Sequence, residues 1–202
     1  MPKLKQFYSA VAAYNRYIDQ NTMSALPGLL LFSFLTCLTQ TIAMPPSVPE
    51  DLLLGPHHAG KLTIGMPESA IYKAWPRKLT RKIRTYPEGI ETPAVQIILG
   101  KDRKKPSLVV ILNGQTIFGI EVHDPRFKTA QGIGVGSSIG DLRRTKLQFK
   151  FNREEGDGLL CEELGMKFAV DIDPATDRRL DGHEADPLAI IPPSAKIEWI
   201  WI

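Results

Sequence analysis

One short pattern occurs twice in this chain, 71 residues apart. Lys61-Leu62-Thr63-Ile64-Gly65-Met66-Pro67 leads to Ile71, and Gly132-Ile133-Gly134-Val135-Gly136-Ser137-Ser138 leads to Leu142. Leu62 then aligns with Ile133, Ile64 with Val135, Gly65 with Gly136 and Ile71 with Leu142. Alternating apolar residues followed by a glycine and a spaced apolar residue specify an extended lead-in, a turn and a short helix. Pro67 suits the first turn of the first helix, and Pro76 limits that helix. Ser137 or Ser138 can cap the second helix, with Asp141 in its first turn.

Strand-like runs follow each helix. After the first come Ala94–Leu99, Leu108–Leu112 and Thr116–Val122, with Asn113-Gly114 as a hairpin turn because both turn positions favour positive φ. Lys101–Lys105 and Pro106 read as a charged loop. After the second helix come Leu147–Phe151, a Glu-Gly-Asp-Gly turn at 155–158, Leu159–Cys161 and Lys167–Ile172. A polar excursion over 173–187 precedes Ala195–Ile202, whose alternation suits a half-buried last strand. The expected fold is α+β: two related helix-then-antiparallel-strands modules, 60–130 and 131–202, forming one sheet with helices on one face.

Ahead of them, Leu29–Leu38 is almost wholly apolar. Its length matches the core of a signal peptide and is short for a membrane span of about 20 residues. Thr41-Ile42-Ala43 ends on the small residue that signal peptidase needs, and the proline-rich stretch from Met44 reads as a mature start. Residues 1–43 are therefore expected to be a signal peptide, with an uncleaved anchor over 26–44 as the alternative, and 44–59 a linker. The segment before the core is long if translation starts at Met1, whereas a start at Met23 leaves no cation ahead of it. A lipoprotein box at Cys37 fails, since Phe34 and Thr36 stand where an aliphatic and a small residue are needed.

The chain of 202 residues has 25 basic and 22 acidic side chains, net +3. Loss of 1–43 removes Lys3, Lys5, Arg16 and Asp19 and brings the net charge to +1, which gives no general attraction to nucleic acid or lipid. The distribution is lopsided: residues 73–105 hold ten cations and three carboxylates, residues 154–186 eleven carboxylates and three cations. Solvated faces of one fold account for this, and a bipolar surface that orients a partner would as well.

No complete catalytic pattern is present. Gly132, Gly134 and Gly136 precede a helix, but Ser137 stands where a dinucleotide fingerprint needs its third glycine, and the loop lacks the lysine of a triphosphate-binding loop. Gly136-Ser137-Ser138-Ile139-Gly140 misplaces the spacing of a nucleophile elbow. His57 and His58 are adjacent, so on an extended chain they point apart; His123 and His183 lie beside carboxylates, and no paired-histidine spacing supports zinc. Asp171, Asp173, Asp177, Asp181 and Glu184 have a calcium-loop composition without the spacing. Cys161 lies in an apolar run and is expected to be buried and inert.

The stretch from Ile120 to Leu142, running Phe127-Lys128-Thr129 into Gly132-Ile133-Gly134-Val135-Gly136-Ser137, resembles a pattern in uncharacterised secreted bacterial proteins. The tandem layout over about 60–202 is similar to the β-lactamase-inhibitor-protein and BamE-like modules. The resemblance implies a periplasmic or envelope binding module and carries no site residue across; the acidic excursion after Ile172 has no counterpart in it. The expectation is an exported, periplasmic or secreted, non-enzymatic protein that binds another protein or an envelope component. It takes no cofactor or nucleic acid, and meets membrane only if the N-terminal segment stays uncleaved. A small periplasmic hydrolase or metal-dependent enzyme using His57, His58 or His123 is the alternative. Arg126, Lys128, Arg143 and Arg144 flank the glycine step and are the candidate contact residues, because arginine is favoured at contact hot spots.

Overall fold

The computed structural model describes residues 48–153, 158–181 and 186–202, with the Glu88 side chain excepted. The N-terminal apolar run, Cys37, the start of the expected linker, most of the 155–158 turn, His183 and Glu184 lie outside the described residues.

The structure is mixed α+β and mostly strand. The strands are β1 (Leu53–Gly55), β2 (His58–Ala59), β3 (Leu62–Thr63), β4 (Thr80–Thr85), β5 (Thr92–Ile97), β6 (Leu108–Asn113), β7 (Thr116–Val122), β8 (Lys128–Thr129), β9 (Lys150–Asn152), β10 (Gly158–Cys161), β11 (Met166–Val170) and β12 (Ile197–Trp201). Short helices are α1 (Ser69–Ala74), α2 (Ile139–Arg143), α3 (Pro174–Leu180) and α4 (Pro187–Ile190). An eight-stranded sheet has the order β4-β5-β6-β7-β12-β11-β10-β9, antiparallel throughout, and β7 meets β12 with Ile200 opposite Val122.

Two sheets are present where one was expected. The second has the order β3-β2-β1-β8, with β8 parallel to β1. Its strands are two or three residues long, too short for an alternation to be readable, and two of them fall in the stretch expected to be a linker. The polar excursion likewise contains α3. Asp173 is its N-cap, accepting from the N–H groups of Ala175 (2.9 Å) and Thr176 (3.0 Å), and Pro174 opens its first turn. The Asp173 carboxylate is thereby used in capping, and Asp177 and Asp181 pair with Arg153.

The two glycine turns make matching hydrogen bonds. The Gly65 N–H donates to the Ile117 carbonyl, the Ile117 N–H to the Met66 carbonyl, and the Glu68 N–H to the Gln115 carbonyl. In the second half the Gly136 N–H donates to Ile197, the Ile197 N–H to Ser137, and the Ile139 N–H to Ala195. Gly65 (φ 88°) and Gly136 (φ 81°) both adopt a left-handed conformation that a side chain would strain. Each turn thus docks the start of a short helix onto the last strand of its half.

Alternation divides the sheet's side chains between two clusters. Val95, Ile97 and Val110 join the main core with Phe127 and Phe168, whereas Ala94, Val109 and Ile111 form a separate cluster on the opposite face. Ile71 of α1, Ile139 and Leu142 of α2, and Leu180 of α3 are fully buried in the main core. Each such aliphatic burial contributes about 2 kcal/mol.

Candidate interaction surface

The face of the eight-stranded sheet turned away from the main core carries the smaller cluster, with Ile83, Phe118 and Trp201 packed half-buried against it. Register places one residue of each strand in a single row across this face. The row runs Arg81, Gln96, Val109, Glu121, Trp201, Lys167, Leu160 and Lys150. It contains three cations and one carboxylate. A Cβ on Gly119 would overlap the Trp201 ring, so the glycine lets the indole lie flat against β7. Trp199 stands two residues along β12 on the same face, and His123 Nε2 lies 3.2 Å from Glu121 Oε2. Among the described residues no helix contributes to this cluster.

The sheet's first edge is strongly basic. β4 pairs only with β5 and presents Arg81, Lys82 and Arg84 to solvent. Cationic side chains on an edge strand oppose edge-to-edge association. Lys82 pairs with Glu68 at 2.8 Å and Arg84 with Glu91 at 2.5 Å. The Lys82 hydrogen bond, with a second from the Tyr72 hydroxyl, holds the Glu68 carboxyl below the usual range. The tip of the β4–β5 hairpin exposes Tyr86 and Ile90, at 62% and 48%.

Each of the four residues singled out beside the glycine step has an internal partner. Arg126 grips Asp124, with Nε 2.9 Å from Oδ1 and Nη2 2.6 Å from Oδ2. Lys128 Nζ donates to the Val135 carbonyl at 3.2 Å, and burial pushes its amine down. Arg143 donates to the carbonyls of Leu188 and Ile191, tying α2 to α4. Arg144 pairs with Asp141 and, with Lys146 and Glu163, lines an open groove of about 560 Å³ whose charges are mixed.

The motif around them is a joint. Phe127 is fully buried, and the Thr129 hydroxyl accepts from the Ile133 N–H at 3.2 Å. A Cβ on Gly134 would overlap the Phe127 carbonyl oxygen, so that glycine permits a close backbone approach. Ser138 and Asp141 form a reciprocal capping box, and the backbone and hydroxyl hydrogen bonds from Ser138 hold the Asp141 carboxyl below its ordinary range.

His57 and His58 lie at the turn of the small sheet, and His123 stands on the outer face of the large one. Among the described residues no three His, Cys, Asp or Glu side chains gather as a metal site. Cys161 is fully buried, and burial pushes its thiol up.

No family model matches the chain, and no curated protein matches it. Its fold is similar to the crystal structure of the uncharacterized protein yfeY from Escherichia coli, with a TM-score of 0.51 and 19% identity over 74% of this chain and 97% of that chain. No helix of the described residues is long and apolar enough to cross a membrane.

Proposed function

We propose that this chain is an exported, non-enzymatic binding protein of the bacterial envelope, and that it holds a partner protein against the outer face of its eight-stranded sheet. The observation that carries this is the second apolar cluster there, with Phe118 and Trp201 half-exposed over Ala94, Val109 and Ile111. An apolar centre with aromatic side chains and a polar rim is the usual anatomy of a protein contact. The two halves, 60–130 and 131–202, are read as related modules; what supports this is the matched hydrogen-bond set at the two glycine turns. Export rests on the signal-like start and on the resemblance of the Phe127–Ser137 motif to secreted bacterial proteins.

The test is site-specific photocross-linking in the native host, with a benzoylphenylalanine at Phe118 and, as control, at Arg178 on α3. A single protein adduct at 118 and none at 178, on a chain whose intact mass begins near Met44, is the expected result. Equal adducts at both sites would remove the sheet face as the contact, and a full-length chain in the cytosol would remove export.

A further inference from the structure

We infer that a second site, the cleft between the turn Arg77–Leu79, the start of β4 and the loop over 98–105, binds a phosphate group, either free or at the head of an anionic lipid. The cleft measures about 400 Å³. Lys78 and Arg81 line it from one stretch and Arg103 from another, over Leu79 and Ile98, and no carboxylate lines it. Among the described residues none of these three cations makes an ion pair or a side-chain hydrogen bond. This sets them apart from Lys82 and Arg84 of the same strand, both paired. Asp102, the one acid of the loop, turns its Oδ1 to the Lys104 N–H at 2.9 Å, so it shapes the loop that carries Arg103. Lys101, Lys104 and Lys105 are exposed on the same loop as Arg103.

Three like charges converging on one concavity repel one another, and an anion placed among them relieves that repulsion. Two guanidinium groups offer the forked donors that suit phosphate oxygens, and the lysine adds a point charge. The volume is that of a small-ligand cleft, which suits a head-group-sized anion better than the flank of a nucleic-acid duplex. The cleft shares Arg81 with the edge of the sheet's outer face, whereas Lys78 and Arg103 lie outside the row across that face.

The experiment is titration of the full chain from its native host with pyrophosphate, followed by calorimetry, beside flotation with phosphatidylglycerol and phosphatidylcholine vesicles. Saturable one-site pyrophosphate binding is expected. It should weaken about tenfold in R81Q/R103Q, and further as salt rises from about 50 to about 500 mM. R178Q/R179Q, an equal change of charge on α3, should leave it within about twofold. K78Q is the second variant, should the double substitution lower the melting temperature. Phosphatidylglycerol retention that depends on Arg81 and Arg103 identifies the lipid as the source; pyrophosphate binding without such retention identifies a free phosphate. No saturable binding to either probe, an equal loss in R178Q/R179Q, or binding to duplex DNA alone would overturn the inference.

Discussion

Replacing Asp124 by Asn should cost stability at neutral pH and cost nothing in acid. Asp124 is 9% exposed and lies two residues beyond the end of β7. Arg126 reaches it through its backbone N–H (3.0 Å), Nε (2.9 Å) and Nη2 (2.6 Å). Burial raises its pKa, but the hydrogen bonds from Arg126 and from the Ser107 hydroxyl, with the Arg126 charge, outweigh that and bring it down to about 2. An unfolded aspartate titrates near 3.9. The folded value is the lower one, so the stabilisation is fully present above pH ~4 and is lost as pH falls through ~4 to ~2. A shift of nearly two units corresponds to about 2.5 kcal/mol, and screening at the half-exposed Arg126 reduces it to about 1–2 kcal/mol. Asn keeps one carbonyl oxygen for the Arg126 N–H, so the turn survives, but its NH2 cannot accept from Nη2 as Oδ2 does, so the charge and that hydrogen bond are lost together, as they are when the acid is protonated. Urea unfolding of both proteins at pH 7, 4, 3 and 2 reads the difference directly. A stability gap that stays constant down to pH 2 would assign Asp124 a packing role, and no gap at pH 7 would refute the reasoning altogether.

Two further outcomes check the reading of the glycine joint and of the core. Ser138→Ala removes the hydroxyl half of the α2 capping box and should destabilise by about 1 kcal/mol in urea unfolding. Cys161 should stay unmodified by an aromatic disulfide reagent in the native state and react fully once urea unfolds the chain, because its thiol is buried and pushed up. Native-state labelling at the rate of an unfolded thiol would contradict that burial.

Much of the large sheet was readable because its signals are local. β6 and β7 do form a hairpin, but one residue on from the expected turn: Asn113 ends β6 paired with Thr116, and Gly114-Gln115 makes the connection, with Gly114 alone at positive φ (62°). The alternation of residues 195–202 does form β12. Ser138 and Asp141 do cap α2. What escaped depends on residues far apart in the sequence. β4 reads Thr-Arg-Lys-Ile-Arg-Thr and carries one aliphatic residue; as an edge strand with one paired neighbour it exposes three of its six residues and fully buries none. The small sheet holds β8 beside β1, a pairing between residues 53–54 and 128–129 that no local pattern announces. Asp173-Pro174 is a sound helix start, but it lay hidden in a run of acids that suggested calcium.

The same distinction separates the two readings of the basic residues. Arg126, Lys128, Arg143 and Arg144 drew notice through a motif, and a motif of this kind specifies its own internal partners: Asp124, the Val135 carbonyl, the Leu188 and Ile191 carbonyls, and Asp141. Arg126, Lys128 and Arg143 spend hydrogen bonds on holding the joint, whereas Arg144, 77% exposed, pairs with Asp141 at the surface. The excess of cations over 73–105 was visible only as a count, and a count does not say which members are paired. Folding pairs Lys82 with Glu68 and Arg84 with Glu91, and leaves Lys78, Arg81 and Arg103 around one cleft. Charge that a fold leaves unneutralised in a concavity is a sharper pointer to a ligand than charge beside a recognisable motif, because nothing in the chain's own stability requires it.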